Sequence, residues 1–260
     1  MLKRVLVFVY GVASYGVFFA TFLYAVGFLG NFVVPKTMDL PSRMPFFYAL
    51  GIDLLLLGIF AVQHSVMARP WFKRAWTRVI PEAAERSTYV LISSLALIAL
   101  FAYWQPLGGT VWNVENPTGR LVMYQLFGLG FGLVLIATFL INHFDLFGLR
   151  QVWLYLIGKP YTQLTFRTPL FYKYVRHPLY VGWMMAFWFT PTMSGAHLLF
   201  AIVTTAYMLT AIRWEEHDLI AVFGEKYARY RENVPMLVPI GSSKGRESTA
   251  VVQPVAKKAA

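Results

Sequence analysis

The chain contains five long stretches that are apolar and nearly free of charge. A membrane helix needs about 20 apolar residues to cross a hydrocarbon core about 30 Å thick. Each stretch meets this length, and together they contain one charged residue, Asp53. The stretches run from Val5 to Pro35, Met44 to Ala68, Ser87 to Val114, Leu121 to Phe144 and His177 to Ile212. This pattern predicts a protein built from membrane-spanning helices.

The fifth stretch is too long for a single span. As one helix it would extend about 54 Å, well beyond the hydrocarbon core. Its middle reads Thr190-Pro191-Thr192-Met193-Ser194-Gly195, a composition typical of a turn. We therefore divide it into a hairpin of two helices. The pattern then predicts six spans, at residues 5–30, 46–67, 87–106, 121–143, 178–193 and 196–214.

The amino-acid composition agrees with this interpretation. Of 260 residues, 58% are hydrophobic and 13% are charged, a balance that excludes an ordinary soluble domain. We predict an all-α fold, a polytopic membrane helical bundle of about six spans, in one domain over residues 1–240. The remaining segment, 241–260, is polar, small and basic, and we expect it to be disordered.

The net charge of +11 includes many basic residues beside the apolar stretches. Lys3 and Arg4 precede the first span, and the segments 69–86 and 145–177 hold five basic residues each. The positive-inside rule places these segments and both termini in the cytoplasm. We expect an integral protein of the bacterial inner membrane, surrounded by the lipid bilayer. Because no basic stripe or RNA-binding signature accompanies the charge, we expect no nucleic-acid partner.

Polar chemistry in this chain falls on histidines and acids. Cysteine is absent, which excludes disulfides, thiolate metal sites and a cysteine nucleophile, and we expect no metal site. The predicted hairpin brings Arg176-His177-Pro178 to the same membrane depth as Glu215-Glu216, so we expect the two clusters to meet. An amphipathic helix should follow and pack across the hairpin mouth, because apolar residues recur at spacings of three and four until Pro235: Leu219, Phe223, Tyr227, Tyr230 and Val234.

Two segments of the hairpin resemble known motifs. The run Tyr172-Lys173-Tyr174-Val175-Arg176-His177-Pro178-Leu179-Tyr180-Val181-Gly182 resembles the R-H-P-x-Y-x-G motif of the isoprenylcysteine carboxyl methyltransferase-like membrane enzymes. The segment from Glu215 to Pro239 is similar to their second motif, E-E-x-x-L-x-x-x-F-G-x-x-Y-x-x-Y-x-x-x-V-P-x-x-x-P. The family fold binds S-adenosylmethionine between the hairpin and the C-terminal helix. The resemblance therefore implies a cofactor-binding part at about residues 160–240.

Three upstream segments extend the resemblance over most of the chain. They are similar to the bacterial methanethiol S-methyltransferase family, a branch near the NnrU-type proteins. The family implies methyl transfer from S-adenosylmethionine to methanethiol, a small volatile thiol, giving dimethyl sulfide, with no obligate protein partner evident. The segments read Gln63-His64-Ser65-Val66-Met67-Ala68-Arg69-Pro70, Glu85-Arg86-Ser87-Thr88-Tyr89 and Asn142-His143-Phe144-Asp145-Leu146-Phe147-Gly148-Leu149-Arg150-Gln151.

The resemblance also implies roles for residues of the two motifs. The cofactor carries a carboxylate, an ammonium group and a sulfonium. We assign Arg176 to the carboxylate and Glu215 or Glu216 to the ammonium group. The sulfonium can face Tyr180 or Trp183 through a cation–π contact. His177 and Tyr174 are expected to border the adenosine, and Gly182 to allow close approach of a ligand or a backbone.

Attack by the acceptor requires a thiolate, so a base must remove the thiol proton. Histidine can accept a proton at cytoplasmic pH, and His64 and His143 are the candidates. Asp145 is the expected orienting acid, and Arg150 the expected stabiliser of the thiolate.

Three other functions remain open at this point. A methyltransferase of the same fold can act on a prenylcysteine carboxylate, a phospholipid amine or another small thiol. A haem-binding membrane protein would use His64 and His143 as paired axial ligands. A transporter would use Asp53 as a coupling carboxylate.

Overall fold

A computed structural model describes residues 1–240, and the predicted disordered segment 241–260 lies outside the described residues. The described chain forms ten α-helices and two short strands. The helices are α1 Leu2–Gly30, α2 Phe46–Ala68, α3 Pro70–Trp76, α4 Glu85–Tyr103, α5 Pro117–Ile141, α6 His143–Leu146, α7 Leu149–Leu156, α8 Pro178–Trp188, α9 Gly195–Phe223 and α10 Glu225–Asn233. The strands are β1 Thr110–Asn113 and β2 Thr192–Ser194.

Five of these helices are long and apolar enough to cross a membrane: α1, α2, α5, α9 and α4 with the short turn before it. Large apolar side chains such as Leu55, Val62 and Leu129 are exposed on their outer faces. Such a surface suits contact with lipid and would be unusual in a soluble protein. The chain is therefore an integral membrane protein with a polytopic helical fold, as the sequence predicted.

The predicted fifth span, 178–193, is wrong in its second half. Helix α8 has 11 residues and ends at Trp188, so it is about 16 Å long and too short to span the membrane as a helix. Residues 192–194 form β2, which pairs antiparallel with β1. Trp112 of β1 also donates from Nε1 to the carbonyl of Thr190 at 3.0 Å. The Thr190-Pro191 break therefore ends in a strand pairing and not in a further turn of helix.

The predicted boundary between the sixth span and the helix that follows is also corrected. Helix α9 continues without interruption through Glu215 and Glu216 to Phe223. The break comes at Gly224, whose φ of 57° and ψ of −136° suit glycine and few other residues. This turn separates α10 from α9, so the predicted continuous amphipathic helix is divided in two.

Helix α8 packs most closely on α5, where two glycines face each other. A Cβ atom on Gly182 would lie 2.7 Å from the carbonyl oxygen of Gly130, and one on Gly130 would lie 2.7 Å from the carbonyl oxygen of Gly182. Small residues allow helix backbones to approach in this way. Beside this contact, Trp183 packs against Phe131 and Phe187 in the main hydrophobic core.

The bundle has two ends that differ in chemistry. We call the end at Arg176 and Glu216 the motif end, and the end at β1 and β2 the strand end. Arg4, near the start of α1, lies 5.8 Å from the ring of Tyr155 in α7. Helix α5 runs from the strand end to the motif end, and α7 comes soon after it in the chain, so α7 lies at the motif end. Helix α10 also lies at the motif end. The first and last described helices therefore begin and end on one side of the bundle.

Candidate active site

Residues 176–178, which we call the corner, precede α8 and are hydrogen-bonded through their backbone to the C-terminal segment. Pro178 occupies the first turn of α8, where its missing N–H costs no hydrogen bond. The N–H of Arg176 donates to the carbonyl of Pro235 at 2.9 Å, and that of His177 donates to Met236 at 3.2 Å. The segment just after α10 therefore lies against the corner, whereas the sequence predicted that the preceding helix would cover the hairpin mouth.

Glu216 is the centre of a buried ionic cluster. Its Oε1 accepts hydrogen bonds from Arg176 Nε at 2.7 Å and lies 3.0 Å from His177 Nε2. His177 is 4% exposed and Glu216 is 8% exposed. Arg176 also donates from Nη1 to the carbonyls of Arg231 at 2.8 Å and Val234 at 2.5 Å. The cluster therefore joins the corner, α9 and the end of α10.

Glu215 has a different environment, although it is the next residue of α9. Its side chain is exposed, and within residues 1–240 it forms no ion pair. Its carboxylate accepts a hydrogen bond from the Tyr180 hydroxyl at 2.9 Å. Of the two adjacent acids, Glu216 is paired with Arg176 inside the protein, and Glu215 exposes its carboxylate.

Two tyrosine hydroxyls near these acids are buried without a hydrogen-bond partner in the described chain, those of Tyr172 and Tyr227. Burial and then the charge of Glu215 raise the pKa of Tyr172, so its hydroxyl keeps its proton at neutral pH. Burial and the charges of Glu216 and Glu215 likewise raise the pKa of Tyr227. A buried hydroxyl without a partner is costly, and a bound ligand can satisfy it.

Further tyrosines lie between the residues around Glu215 and helices α2 and α4. Tyr207 of α9 shares a hydrogen bond of 2.9 Å with Ser65 of α2. The neighbouring residue His64 contacts Tyr89 of α4, with Nε2 2.8 Å from the hydroxyl. The structure therefore connects His64 to the Glu215 side of the bundle.

His143 lies in a separate aromatic environment. Its Nε2 is 2.8 Å from the Tyr15 hydroxyl, and its Nδ1 is 2.8 Å from Thr138 Oγ1. Because Thr138 donates its own proton to the carbonyl of Leu135, it accepts from His143 Nδ1, and Nε2 accepts from Tyr15. Phe139 stacks on the imidazole at 4.1 Å. Burial lowers the pKa of His143, so the ring is neutral at pH 7.

Asp145 and Arg150 do not take the positions that the sequence suggested. Arg150 Nη1 pairs with Asp145 Oδ1 at 2.8 Å and also donates to the carbonyl of Thr162 at 2.9 Å. Tyr161 donates to the other carboxylate oxygen at 3.2 Å. The Asp145 side chain makes no hydrogen bond to His143 within the described chain. Asp145 and Arg150 therefore pair with each other and hold the segment after α7 through Tyr161 and Thr162.

The remaining predicted site residues divide into two groups. Tyr180 lies in the cluster, with its ring 5.6 Å from His177, whereas Tyr174 is exposed beside the corner. Trp183 packs in the hydrophobic core, and Gly182 faces α5, a contact that by itself accounts for the glycine. Sequence reasoning missed Tyr172, Tyr207 and Tyr89 as site residues, although Tyr172 and Tyr89 lie inside the motif-bearing segments.

Comparison with known proteins connects this arrangement to a family. The chain is 59% identical to a methanethiol S-methyltransferase of Crocosphaera subtropica over 92% of this chain and 93% of the relative. It is 52% identical to a methanethiol S-methyltransferase of Mycobacterium tuberculosis over 92% of this chain and 98% of the relative. A more distant relative, nurim of Rattus norvegicus, is 31% identical over 66% of this chain and 68% of the relative.

No protein-family model and no solved structure matches the chain. The two bacterial relatives are nevertheless matched over nearly their whole length. The matched part of this chain includes Arg176 to Pro178, the paired glutamates and the histidines of α2 and α6. The resemblance that the motifs indicated is thereby confirmed. The chain belongs to the methanethiol S-methyltransferase family.

Proposed function

We propose that the protein transfers the methyl group of S-adenosylmethionine to methanethiol, releasing dimethyl sulfide and S-adenosylhomocysteine. The observation that carries the proposal is the meeting of the corner with the paired glutamates, which leaves Glu215 charged and accessible beside Tyr180. The family assignment supports methanethiol as the acceptor, because relatives of that name are similar over nearly their whole length.

The residues around Glu215 fit the chemistry of S-adenosylmethionine, which supplies a methyl group activated by its positive sulfur. Glu215 offers an unpaired carboxylate for the ammonium group, and Tyr180 beside it offers an aromatic face for the sulfonium. The orphan hydroxyls of Tyr172 and Tyr227 offer hydrogen bonds to hydroxyl or ring nitrogen atoms. Arg176 uses Nε and Nη1 within the protein, and Nη2 is the nitrogen that can still meet the carboxylate.

His177 and Glu216 hold Arg176 in position and are themselves buried, so their role toward the cofactor is to orient the corner. Tyr174 is exposed beside the corner and can border the adenosine. Trp183 remains a weaker candidate for the sulfonium than Tyr180, because its ring belongs to the core cluster with Phe131.

Of the two candidate bases, His64 is favoured. Its ring contacts Tyr89 of α4, and its neighbour Ser65 contacts Tyr207 of α9, the helix that carries Glu215. Both histidines have their ring nitrogens within hydrogen-bond distance of protein groups, so the preference rests on position: Tyr15 and Thr138, the partners of His143, belong to α1 and α5. That engagement also argues against haem ligation by His143, since no nitrogen is left for iron.

We further propose that the motif end faces the cytoplasm of a bacterial inner membrane. The basic residues of segments 69–86 and 145–177 flank this end, as the positive-inside rule requires. A small apolar thiol can then reach the site either through lipid or from the cytosol. We expect no obligate protein partner.

The test is turnover of the purified protein in detergent, with headspace detection of dimethyl sulfide and parallel measurement of S-adenosylhomocysteine. We expect both products in equal amounts from methanethiol, and slower turnover of longer thiols. Replacing His64 with Ala should lower kcat by about 100-fold or more, because general base catalysis contributes about 100- to 10,000-fold. The matched variant His143→Ala should retain more of the rate.

Two results would contradict this assignment. Absence of dimethyl sulfide from the wild-type protein, with intact binding of S-adenosylmethionine, would favour another acceptor such as a prenylcysteine carboxylate or a phospholipid amine. Full activity of His64→Ala would remove this histidine as the base. Soret absorbance in the purified protein would instead support the haem alternative.

A further inference from the structure

The hydroxyl of Tyr89 lies close to both nitrogens of the His64 ring. It lies 2.8 Å from Nε2 and 3.1 Å from Nδ1. Ser93 Oγ lies 3.2 Å from Nδ1 and also accepts a hydrogen bond from Gln63. A neutral imidazole carries one proton, on either nitrogen. Whichever nitrogen is free to accept a proton is therefore within hydrogen-bond distance of Tyr89.

Tyr89 also lies near the residues around Glu215. It is close enough to Tyr207 and Glu215 to interact with them electrostatically, and Ser65, next to His64, contacts Tyr207 at 2.9 Å. We propose that Tyr89 is a catalytic residue that relays the thiol proton to His64. This inference rests on the proposed function, because the proton belongs to the thiol that is methylated.

The surroundings of Tyr89 favour this role. The guanidinium of Arg86 lies 4.9 Å from the centre of the Tyr89 ring. Arg86 is itself held in place, since its Nε donates to the carbonyl of Leu146 at 2.7 Å. A fixed positive charge beside the ring stabilises negative charge on the phenol oxygen while the proton moves. The side chain of Tyr89 is 8% exposed, and burial disfavours a free phenolate, so Tyr89 gives its proton to His64 as it takes up the thiol proton.

The proposed step is balanced in atoms and electrons. The S–H bond of methanethiol breaks and its proton passes to the Tyr89 oxygen, while the Tyr89 proton passes to the free nitrogen of His64. The thiolate sulfur forms a bond to the methyl carbon of S-adenosylmethionine, and the bond from that carbon to the sulfonium breaks. Its electron pair remains on the departing sulfur. The proton on His64 then returns to solvent.

The first experiment compares Tyr89→Phe with Tyr10→Phe. Tyr10→Phe is a matched control, because it removes a tyrosine hydroxyl that bonds at 2.9 Å to Thr88, the neighbour of Tyr89 in α4. Each is assayed with methanethiol and with the more acidic trifluoroethanethiol. We expect Tyr89→Phe to lower kcat with methanethiol by about 100-fold. With the acidic thiol the loss should shrink to less than about 10-fold, because less proton transfer is needed.

A second measurement requires no turnover. In the presence of S-adenosylhomocysteine, the ultraviolet absorbance of bound thiolate is followed as pH is raised. In the wild-type protein the thiolate should form at a lower pH than in Tyr89→Phe, whereas Tyr10→Phe should match the wild type. A role for Tyr89 in packing alone would leave this titration unchanged.

The outcomes separate the two proposals. If the wild-type protein produces no dimethyl sulfide, the proposed function fails. If the wild type is active and Tyr89→Phe keeps its rate and its thiolate titration, the relay alone is overturned. If Tyr89→Phe does not fold, the solvent deuterium isotope effect on the wild type decides. The effect should be larger with methanethiol than with trifluoroethanethiol, and equal effects would overturn the relay.

Discussion

Arg176 and Glu216 lie 40 positions apart in the chain and pair at 2.7 Å between Nε and Oε1. Each residue comes from a different motif of the family, so the pair joins the two motifs within the protein. Arg176 also holds the carbonyls at the end of α10, while Glu216 also meets His177. The pair is thus a structural connection beside the site, and Glu215 is the acid that faces outward.

The two adjacent glutamates should therefore differ in their mutational effects. Glu216→Ala leaves Arg176 and His177 without their anion in a buried position, and we expect it to lower the free energy of unfolding by about 3 kcal/mol. Glu215→Gln should leave thermal stability nearly unchanged. Thermal unfolding in detergent, with and without S-adenosylmethionine, measures both effects.

Affinity for S-adenosylmethionine provides the complementary prediction. Glu215→Gln should weaken binding by about 10- to 100-fold, because a hydrogen bond to a charged group contributes about 1.5–3 kcal/mol. Calorimetry in detergent measures the dissociation constant. Glu225→Gln is the control, since this exposed acid of α10 pairs with Arg229 on the surface. Equal affinities of the three proteins would contradict a role for Glu215.

His143 should make stability depend on pH. Burial lowers the pKa of His143 in the folded protein, so below about pH 6.5 the unfolded chain binds a proton that the folded chain does not. The stabilising contribution is complete above that pH and is lost as the pH falls. We expect the free energy of unfolding to fall by no more than about 1.4 kcal/mol per pH unit.

Thermal midpoints of the wild type and of His143→Gln, measured between pH 7.5 and 5, check this prediction. The glutamine keeps hydrogen-bonding capacity toward Tyr15 and Thr138 but does not titrate. Its midpoint should vary less with pH than that of the wild type. The same slope in both proteins would assign the titration to other groups.

The contact between α5 and α8 should be sensitive to side-chain size. Gly182→Val places a side chain against the Gly130 carbonyl, and backbone atoms cannot move away cheaply. We expect a loss of more than about 3 kcal/mol, or failure to fold. Gly128→Val on the same helix as Gly130 is the control, because open space surrounds that position. Folding yield and thermal midpoint distinguish the two variants.

Asp53 should act as a structural acceptor and not as a coupling carboxylate. It is fully buried, and its Oδ1 accepts from the N–H of Gln105 at 2.8 Å, just beyond the end of α4. Asp53→Asn keeps this acceptor and should retain methyl transfer, whereas Asp53→Ala should lose about 1–3 kcal/mol of stability. Proton- or ion-dependent transport by the protein in vesicles, abolished in Asp53→Asn, would contradict this interpretation.

The membrane helices were predictable because their signal is local. A run of about 20 apolar residues predicts a span wherever it occurs. The errors appeared where distant residues compete with the local pattern. Residues 192–194 leave the helix because β1, some 80 positions earlier in the chain, pairs with them. The break at Gly224 was equally invisible in the apolar spacing of Leu219 to Tyr230.

The site was predictable in part. The hairpin placed Arg176 and Glu216 at one depth, and the structure confirms their contact. The spacing contained no information on which glutamate would take the arginine, because both lie at the same depth. Asp145 was expected to orient the catalytic base, but in the structure it pairs with Arg150, five residues away.

By itself, therefore, the sequence determined that this chain crosses the membrane several times, that two motif segments meet, and which family it belongs to. These properties follow from apolar length, charge and residue identity along the chain. The tertiary structure alone decided that Glu216 pairs with Arg176 while Glu215 forms no ion pair within residues 1–240, and that the Tyr89 hydroxyl contacts His64. Partner choice among polar groups depends on angles and distances between separate helices, and these exist only once the bundle has packed.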